Sequence, residues 1–520
     1  MCHNQLYSNM ERGDEQMSNN SRKMYALSLW LLTLTLAACS PLDLVGSSPA
    51  ATSQAQDAER ATITIMANLH TSEVPSRTIE LLLEEQTGFL LDIHWTPDGS
   101  YEEKFNAAMA TDTLQEAVFL KNGEMLNLVR DPIRSGMFWE IGPLLADYPN
   151  LSRLKPEIMR NSSVDGRIYG IYQERPLSRQ GIIYRKDWAD RLGLAPPRTL
   201  EELYEMLRAF TQDDPDGNGL TDTFGLADRS DLVFGAFKTI ATYFGVPNGW
   251  GEQNGRLVPE FMFPEYVHAM DFFRRLHDEG LMNRDFPVTA KTDQQELFIT
   301  GQAGVYVGAM GDVNSLQLKA READPSAVFD VHNRIAGPLG ERVWATTGYG
   351  SLVLFPKSSV TSKDELADML TFFDRLMEPK TANLLRWGIE GEHHTLQNGR
   401  AIPSDDIAKM QKDVTPYHAL EVGGPGTIEN YLQSDYNLEA KDKAELLTRD
   451  NETMLVDNPI LGLDSPTNNE RGARLYEAVQ DATYQYMLGM IDEQGFQQVV
   501  ERWLELGGQT IITEYNSSRL

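Results

Sequence analysis

Apolar and polar positions alternate along the first part of the folded chain in a pattern that predicts an α/β layer. Residues 61–69 alternate with period two and are rich in β-branched side chains, which is typical of a strand. The pattern then predicts a helix over 78–86, a strand over 89–95, a helix over 101–109 and a strand over 117–120. This β-α-β-α-β order indicates a parallel sheet with right-handed crossovers, whose ligands sit outside the carboxyl ends of the strands.

A capped amphipathic helix is the clearest single element further along the chain. Thr199 followed by Glu202 fits a capping box at a helix start, and Leu203, Leu207 and Phe210 then repeat at helical spacing. The same kind of periodicity predicts helices over 261–276, 363–377, 474–488 and 494–506, and a strand over 348–356.

This helix ends in an acidic loop, DPDGNGLTD, over residues 214–222. Oxygen-bearing residues at every second position, with a glycine at the sixth, are typical of a short loop that wraps a calcium ion. Gly225 stands at the twelfth position, where an EF-hand has a bidentate glutamate, so Asp222, water or a distant residue must complete the shell. A helix-ending turn without an ion is the alternative. The calcium ligands that we expect are Asp214, Asp216, Asn218, Leu220 (through its carbonyl) and Asp222.

The start of the chain carries an apolar run over residues 25–38, preceded by two basic residues. It is shorter than the roughly 20 residues that a transmembrane helix needs, and it fits a secretory signal. The run ends in LAAC, which resembles the lipobox of bacterial lipoproteins, in which the cysteine is acylated. We expect a signal peptide over 1–38, lipidation at Cys39 and a flexible tether over 39–60. An ordinary signal peptide with a chance cysteine is the alternative.

Composition narrows the classes of function. The chain has 520 residues and a formal net charge of −30, which argues against nucleic acid and anionic membrane surfaces as partners.

The sequence motifs that could indicate an enzyme are weak. Glu392-His393-His394 lacks the helical spacing of a two-histidine zinc motif, and the serine in 348–352 lies outside the two glycines, so no nucleophile elbow is present. We therefore expect a protein that is not an enzyme and has no catalytic residue.

Several motifs occur together in an order that one family shares. RKDW at 185–188, LGL at 192–194, Pro197 and the capped helix lead into the acidic loop, and WGIEGEH follows at 387–393. These motifs resemble the extracellular solute-binding lipoproteins (family 1 type) of bacterial carbohydrate ABC importers, above all a subgroup of Gram-positive soil bacteria. That subgroup has Tyr-Gly-Ile-Glu-Gly in place of WGIEG. With matches near both ends, the resemblance covers about residues 60–520.

The resemblance implies a periplasmic-binding-protein-like α/β fold, with two lobes joined by hinge crossings and a ligand cleft between them. The N-terminal lobe would combine 61–172 with 345–395, and the C-terminal lobe 173–344 with 396–520. The protein would sit at the cell membrane, lipid-anchored on the extracellular face, as a monomer. By lobe closure it would capture a carbohydrate, commonly an oligosaccharide, and deliver it to the transmembrane permease subunits of an ABC importer. Relatives bind structural calcium at a loop of the acidic pattern.

Candidate ligand contacts follow from the chemistry of sugars. Aromatic rings stack on sugar faces, and polar side chains pair with hydroxyl groups. The candidates near expected hinges or strand ends are Tyr172, Glu174, Arg175, Trp250, Trp344, Tyr349 and Trp387. For each of them, core packing is the alternative. Trp250, in a glycine-rich polar loop, and Trp344, just before the return crossing, rank highest.

Two other functions stay open at this point. A secreted glycoside hydrolase would need two carboxylates across a cleft. A ligand-sensing lipoprotein coupled to a membrane kinase would share every feature above. The family's Gly-Asp-x-Pro-Asp segment is replaced here by TDTLQE at 111–116, which leaves room for a different ligand class. Because the chain has a net charge of −30, we expect a cargo other than strongly anionic glycans such as alginate.

Overall fold

The computed structural model describes residues 60–436 and 438–519, in an order of strands and helices that follows the sequence pattern closely. The expected signal peptide, the lipidation at Cys39 and the tether up to residue 59 lie outside the described residues. No helix of the described residues is both long and apolar enough to cross a membrane. The strands are β1 (Thr62–Leu69), β2 (Leu90–Pro97), β3 (Ala117–Leu120), β4 (Gly170–Glu174), β5 (Gln180–Arg185), β6 (Phe224–Ala227), β7 (Trp250–Gln253), β8 (Arg256–Pro259), β9 (Ala303–Ala309), β10 (Phe329–His332), β11 (Ala336–Gly337), β12 (Gly340–Glu341), β13 (Val343–Trp344), β14 (Tyr349–Leu354), β15 (His394–Gln397), β16 (Arg400–Pro403) and β17 (Leu455–Val456).

The helices alternate with these strands in the first half of the chain and dominate its end. The predicted helix over 474–488 begins earlier, at Pro466, because Ser465 caps it and a proline fits the first turn. The helices are α1 (Thr78–Thr87), α2 (Tyr101–Ala110), α3 (Leu126–Arg134), α4 (Pro156–Asn161), α5 (Lys186–Leu192), α6 (Leu200–Gln212), α7 (Ala236–Phe244), α8 (Pro264–Asp278), α9 (Lys291–Ile299), α10 (Val313–Ala323), α11 (Lys363–Leu376), α12 (Pro379–Trp387), α13 (Ile407–Asp413), α14 (Glu439–Asp450), α15 (Pro466–Met487), α16 (Glu493–Trp503) and α17 (Gln509–Ser518).

A five-stranded sheet carries the first half of the fold, in the order β2-β1-β3-β14-β4. Strands β1, β2 and β3 run parallel, as the β-α-β-α-β pattern predicts. Strand β14 lies antiparallel to both β3 and β4. The chain therefore leaves this sheet after β4 and comes back to it, far later in the sequence, as β14.

A four-stranded sheet carries the second half, in the order β10-β5-β9-β6. Strand β6 runs parallel to β9, while β5 is antiparallel to β9 and to β10. Side chains alternate across β5, so Ile182 and Tyr184 join one apolar core and Ile183 joins another on the opposite face. Both faces of this sheet are thus covered by protein.

The apolar cores divide mainly between the two sheets. One core surrounds the five-stranded sheet, and a second joins one face of the four-stranded sheet to helices α15–α17. Tyr417, Leu420, Val422 and Ile428, which fall within the expected C-terminal lobe 396–520, pack in the core of the five-stranded sheet. The expected lobe boundaries stay a prediction.

The capped helix of the sequence analysis is α6. Thr199 Oγ1 accepts a hydrogen bond from the Glu202 N–H at 3.1 Å, and Glu202 Oε2 accepts from the Arg198 N–H at 2.7 Å. Leu207 and Phe210 on the apolar face are fully buried. The start of α6 is thus fixed by side-chain caps and its face by burial, which positions the acidic loop that follows it.

Candidate functional site

Two segments cross between the sheets, and they are hydrogen-bonded to each other. The first lies between β4 and β5, and the second lies just before β14. The Arg175 N–H donates to the Gly348 carbonyl oxygen at 2.8 Å, and the Thr346 N–H donates to the Leu177 carbonyl oxygen at 2.6 Å. The crossings therefore form one double-stranded connection, the arrangement expected of a hinge.

The strand registers place the carboxyl edges of both sheets at this hinge. Glu174, at the carboxyl end of β4, pairs with Tyr349 at the start of the antiparallel β14. Gln180, at the start of β5, pairs with Ala309 at the carboxyl end of β9. Ligands of open α/β sheets bind outside the carboxyl ends of the strands. A ligand at the hinge would therefore meet this edge of both sheets.

Glu174 is held in place by protein groups. Its carboxylate lies 3.1 Å from Lys155 Nζ and accepts hydrogen bonds from the Gly426 N–H at 3.2 Å and from Thr427 Oγ1 at 3.1 Å. A Cβ atom at position 426 would lie 2.4 Å from the carboxylate, so glycine is needed there. In this arrangement Glu174 fastens the loop around Gly426 to the hinge.

Unlike Glu174, Arg175 has no partner for its charged group: the guanidinium forms no hydrogen bond or ion pair with any residue that the structure describes. The side chain lies over Gly350, where a Cβ atom would come within 2.7 Å of Arg175 Nε. Burial lowers the pKa of Arg175, Glu421 acts against this shift, and the positive charges of Arg386 and Arg179 lower the pKa further. An unpaired cation at the hinge is a candidate ligand contact.

A polar group beside Arg175 was missed by sequence reasoning. Gln173 Nε2 donates to Glu421 Oε2 at 2.8 Å, and Arg386 lies 3.7 Å from the other carboxylate oxygen. His418 Nε2 lies 3.1 Å from the Arg386 carbonyl oxygen, and burial lowers the pKa of His418. These residues come from three distant parts of the chain, so no local pattern could have indicated the group.

The two candidate tyrosines are packed inside the first core. Tyr172 is fully buried, and its hydroxyl accepts a hydrogen bond from the Lys155 N–H at 2.6 Å. A sugar contact at Tyr172 would need a change of packing. Tyr349 is also buried, with its ring close to Gly123, where a Cβ atom would lie 3.1 Å from the ring. Burial raises the pKa of Tyr349 to about 12.

Trp387 lies at the end of α12, next to Arg386. Its indole Nε1–H donates to the Leu432 carbonyl oxygen at 3.1 Å, and its own carbonyl oxygen is 3.0 Å from His394 Nδ1. The Arg386 guanidinium lies 5.5 Å from the Trp387 ring centroid, within cation–π range. Trp387 is therefore tied to the polar group beside Arg175.

The two highest-ranked tryptophans are both buried, and Trp250 belongs to the second core. Trp250 packs edge-on against Tyr515, with ring centroids 5.0 Å apart. Trp344 is 3% exposed, and its Nε1–H donates to Thr239 Oγ1 at 3.0 Å. Phe234 packs edge-on against Trp344 at 5.8 Å and is itself 50% exposed. Phe234 was missed by the sequence analysis, because nothing in its local pattern separates an exposed aromatic from a buried one.

The seven candidate ligand contacts thus fall into two groups. One group lies on β4, β14 and the end of α12, around the first sheet, and the other lies beside the second sheet. The first group contains Tyr172, Glu174, Arg175, Tyr349 and Trp387, and the second contains Trp250 and Trp344.

Three of the predicted calcium ligands in the acidic loop after α6 are hydrogen-bonded to one another. Asn218 Nδ2 donates to Asp216 Oδ2 at 2.8 Å and to Asp222 Oδ1 at 3.2 Å. Asp214 Oδ2 accepts from the Gly219 N–H at 3.1 Å, and the buried Asp214 Oδ1 has no hydrogen-bond partner among the described residues. The carboxylates of this loop are not gathered within 4.8 Å of one another in the described residues. A calcium ion would therefore have to draw them together, with the Asn218 amide turned to present its oxygen.

The packing of the next strand explains why the twelfth position lacks a glutamate. A Cβ atom at Gly225 would lie 2.6 Å from Leu207 Cα and 2.6 Å from the Leu207 carbonyl oxygen. Only glycine fits between β6 and α6 at this point. The loop therefore differs from an EF-hand for a steric reason, and all five calcium ligands, the Leu220 carbonyl among them, stay predictions.

A second polar cluster contains Glu392, His393 and Asp413, whose potential ligand atoms lie within 4.8 Å of one another. Lys409 Nζ lies 2.8 Å from both carboxylates. The Ile389 N–H donates to His393 Nδ1 at 3.1 Å, so the proton of the neutral ring sits on Nε2, facing Asp413 at 3.4 Å. An ammonium group and an N–H occupy the positions of a metal ion, so this cluster is an ion-pair network.

The comparison with protein families agrees with the hinge and its two sheets. The model of the bacterial extracellular solute-binding proteins matches residues 73–360, which is more than half of the chain. The chain belongs to this family. As a solute-binding protein it binds its ligand and is not an enzyme, which confirms the expectation from the weak catalytic motifs.

Two curated relatives match this solute-binding protein along nearly its whole length. The polygalacturonan/rhamnogalacturonan-binding protein YtcQ of Bacillus subtilis is 42% identical over 511 residues, which cover 96% of this chain and 99% of YtcQ. Lipoprotein LipO of the same organism is 34% identical over 496 residues, which cover 93% of this chain and 97% of LipO.

A solved structure shares the fold at low identity. The Streptococcus pneumoniae ABC-transporter substrate-binding protein FusA, as an EF-hand mutant in complex with fructo-nystose, has a TM-score of 0.58 at 19% identity. The match covers 88% of this chain and 98% of FusA. The predicted family resemblance and the predicted α/β binding-protein fold are both confirmed, while the individual ligand and metal contacts stay predictions.

Proposed function

We propose that this solute-binding protein captures an oligosaccharide outside the cell and delivers it to the permease of an ABC importer. The observation that carries the proposal is the hinge, at which the carboxyl edges of both sheets meet beside the paired crossings. A ligand in contact with both edges would stabilise a closed arrangement of the lobes, to the extent that it binds the closed state more tightly than the open one. The chain offers no observation in favour of the hydrolase or the sensor.

The cargo that we propose is an acidic, pectin-type oligosaccharide. The support is the relative at 42% identity, whose name gives polygalacturonan and rhamnogalacturonan as its ligands. The net charge of −30 had led us to expect a cargo without strong negative charge. Charged groups close to a ligand affect its binding more than the net charge of the whole chain does, because salt screens interactions between exposed charges over distances beyond about 8–10 Å. The guanidinium groups of Arg175, Arg179 and Arg386 make the hinge locally positive.

The aromatic contact in this proposal comes from the exposed Phe234. Phe234 lies in the loop after β6, on the carboxyl edge of the second sheet, and its exposed face can stack on a sugar ring. The other predicted aromatic residues would act by supporting the walls of the cleft, since each is at most 9% exposed: Tyr172, Trp250, Trp344, Tyr349 and Trp387.

The lobes that close on the cargo follow the expected segments, with one revision. We propose that 61–172 and 345–395 form one lobe and that 173–344 forms most of the other. The stretch from Tyr417 to Ile428 would move with the first lobe, because its buried side chains pack in the core of the five-stranded sheet. The remaining part of 396–520 would belong to the second lobe through α15–α17.

The acidic loop would hold a structural calcium ion. Asp214, Asp216, Asn218 and Asp222 would supply side-chain oxygen atoms, and Leu220 would add its carbonyl. When bound, the ion would neutralise neighbouring carboxylates and fix the connection between α6 and β6. FusA, which shares the fold, has been solved as an EF-hand mutant, so FusA itself has an EF-hand.

Membrane attachment in this proposal rests on Cys39. The lipobox-like sequence at this cysteine and the relative named lipoprotein LipO support a lipid anchor on the extracellular face of the cell membrane. The anchored protein would act as a monomer that presents its cargo to the permease. Mass spectrometry of the protein from membranes would test acylation, and Cys39→Ser should release the protein into the medium.

Calorimetric titration of a Cys39→Ser protein tests the cargo. The panel should contain oligogalacturonides, rhamnogalacturonan fragments, and neutral fructo- and malto-oligosaccharides. We expect binding of the pectin fragments with no hydrolysis products afterwards. Tight binding of a neutral glycan alone would overturn the pectin cargo, and release of shorter products would overturn the assignment as a binding protein.

A further inference from the structure

We propose that the Arg175 guanidinium, flanked by Arg179 and Arg386, is a subsite for a carboxylate group of the cargo. This inference rests on the proposed function, since it assigns the acidic group of the cargo to a particular side chain. It goes further in naming one residue that selects acidic over neutral glycans. Four properties of the hinge carry it.

The first property is the missing partner. Lys155, at the same hinge, is paired, since it lies 3.1 Å from Glu174 and 2.9 Å from Glu452. Arg175 has no hydrogen bond or ion pair from its guanidinium within residues 60–436 and 438–519. A guanidinium offers five N–H donors in a planar fork that matches a carboxylate. Its donors are free for a ligand.

The second property is the position of the side chain. Solvent reaches Arg175, and the side chain lies against β14 at Gly350, where a Cβ atom would come within 2.7 Å of Arg175 Nε. Arg175 directly follows the carboxyl end of β4, so its guanidinium is accessible to a ligand at the carboxyl edge of the first sheet. Burial by neighbouring protein atoms also lowers the pKa of Arg175.

The third property is the local charge. The positive charges of Arg179 and Arg386 act on Arg175, and so does the carboxylate of Glu421. Glu421 is already engaged, with Oε2 accepting from Gln173 and Oε1 at 3.7 Å from Arg386. The carboxylate of Glu174 is likewise engaged, at 3.1 Å from Lys155. Three guanidinium groups therefore lie near one another in a chain with a net charge of −30, and the nearby carboxylates have other partners. An anionic group of the cargo can pair with these guanidinium groups.

The fourth property is the glycine below the side chain. A Cβ atom at position 350 would lie 2.7 Å from Arg175 Nε and 2.8 Å from Gln173 Oε1. Gly350 thus lets Arg175 lie across the start of β14, at the carboxyl edge of the first sheet. Gly350→Ala should displace the guanidinium without any change of charge.

The test compares an acidic glycan with its neutral ester. Trigalacturonate and fully methyl-esterified trigalacturonate are titrated into the wild type, Arg175→Gln and Arg175→Lys by calorimetry at low and at physiological salt. We expect Arg175→Gln to weaken binding of the acid at least tenfold and to change binding of the ester less than threefold. Arg175→Lys should fall between, because lysine keeps the charge and loses the planar fork. Gly350→Ala should behave like Arg175→Gln.

The matched control is Arg198→Gln. It removes the same charge from an exposed side chain, 3.9 Å from Glu202, at the start of α6. Arg198→Gln should leave both affinities unchanged. Thermal unfolding of every variant checks that it is folded, and Arg175→Lys serves for the comparison if the glutamine variant is not.

Each outcome decides between the inference and the function on which it rests. Equal binding of acid and ester by the wild type, or an equal loss of both in Arg175→Gln, would overturn the carboxylate subsite and leave the pectin cargo standing. Failure of the wild type to bind either glycan would overturn the cargo and the subsite together.

Discussion

The Thr346 N–H donates a hydrogen bond to the carbonyl oxygen of Leu177, with a distance of 2.6 Å between the two atoms. Thr346 lies on the chain's return to the first sheet, and Leu177 lies on its departure from that sheet. Because the two crossings are bonded to each other, a rotation of the lobes must bend both together. The candidate contacts Glu174, Arg175 and Tyr349 lie directly beside this connection, so closure would act on them first.

Glu174→Gln should destabilise the protein by about 3 kcal/mol, the usual cost of breaking a buried ion pair. The side chains of Glu174 and Lys155 are 6% and 17% exposed, and the substitution leaves the ammonium group of Lys155 with only Glu452. Urea unfolding measures the change. The control is Glu429→Gln, which removes an exposed pair with Arg153 and should cost less than about 1 kcal/mol. Equal effects of the two variants would contradict the structural role of Glu174.

Calcium should raise the unfolding temperature of the wild type. A ligand present at 100 times its dissociation constant adds roughly 2.7 kcal/mol to the free energy of unfolding. Asp216→Asn and Asp222→Asn should each reduce this gain, because each removes a charged ligand from the predicted set. Asp213→Asn, one residue before the loop, is the matched control. A wild type with the same unfolding temperature in calcium and in chelator would exclude the site.

Stability should depend on Asp413 in a pH-dependent way. Burial alone raises the pKa of Asp413, but hydrogen bonds from Lys409, Ser76 and His393 outweigh it and bring the pKa to about 2. In the unfolded chain the pKa is about 3.9. The stabilisation by Asp413 is therefore present above about pH 4 and is lost as the pH falls toward 2.

The measurement for Asp413 is the free energy of unfolding of the wild type and of Asp413→Asn as a function of pH. The variant should be less stable at pH 7, and the difference should shrink between about pH 4 and pH 2. Asp405→Asn, at an exposed carboxylate just before α13, should show no such dependence. A difference that stays constant down to pH 2 would contradict the ion-pair network.

Phe234→Ala should weaken binding of the cargo roughly fivefold, since an aromatic contact contributes about 1 kcal/mol. The loss should be similar for acidic and esterified glycans, because stacking does not depend on the charge of the sugar. This distinguishes Phe234 from Arg175. Leu339→Ala, at another exposed apolar side chain (60% exposed), is the control in the same titration. An unchanged affinity in Phe234→Ala would place the aromatic contact elsewhere.

The local pattern of apolar and polar residues was sufficient to predict most of the strands and helices. The predicted strand over 117–120 and the predicted helix over 101–109 agree with β3 and α2 to within one residue. The start of α6 was readable because a capping box is local chemistry between neighbours in the chain. The missing glutamate at Gly225 was also visible in the sequence, but its cause, the close approach of Leu207, was not.

The candidate site was predicted less completely than the fold. Glu174, Arg175 and Tyr349 were named because strand ends near a hinge can be located from periodicity. Gln173, Glu421 and Phe234 were missed, and Tyr172 was named although it is fully buried. Exposure and pairing depend on residues that lie far away along the chain, and no window of sequence contains both partners.

The sequence by itself determined the alternation of strands and helices, the acidic loop and the family, because these depend on spacing between neighbouring residues. Only the tertiary structure decided which polar groups are satisfied. Glu174 meets Lys155 and a glycine loop, whereas Arg175, its neighbour in sequence, meets no partner among the described residues. Two adjacent charged residues receive opposite roles because successive side chains of an extended chain point in opposite directions, toward different distant segments.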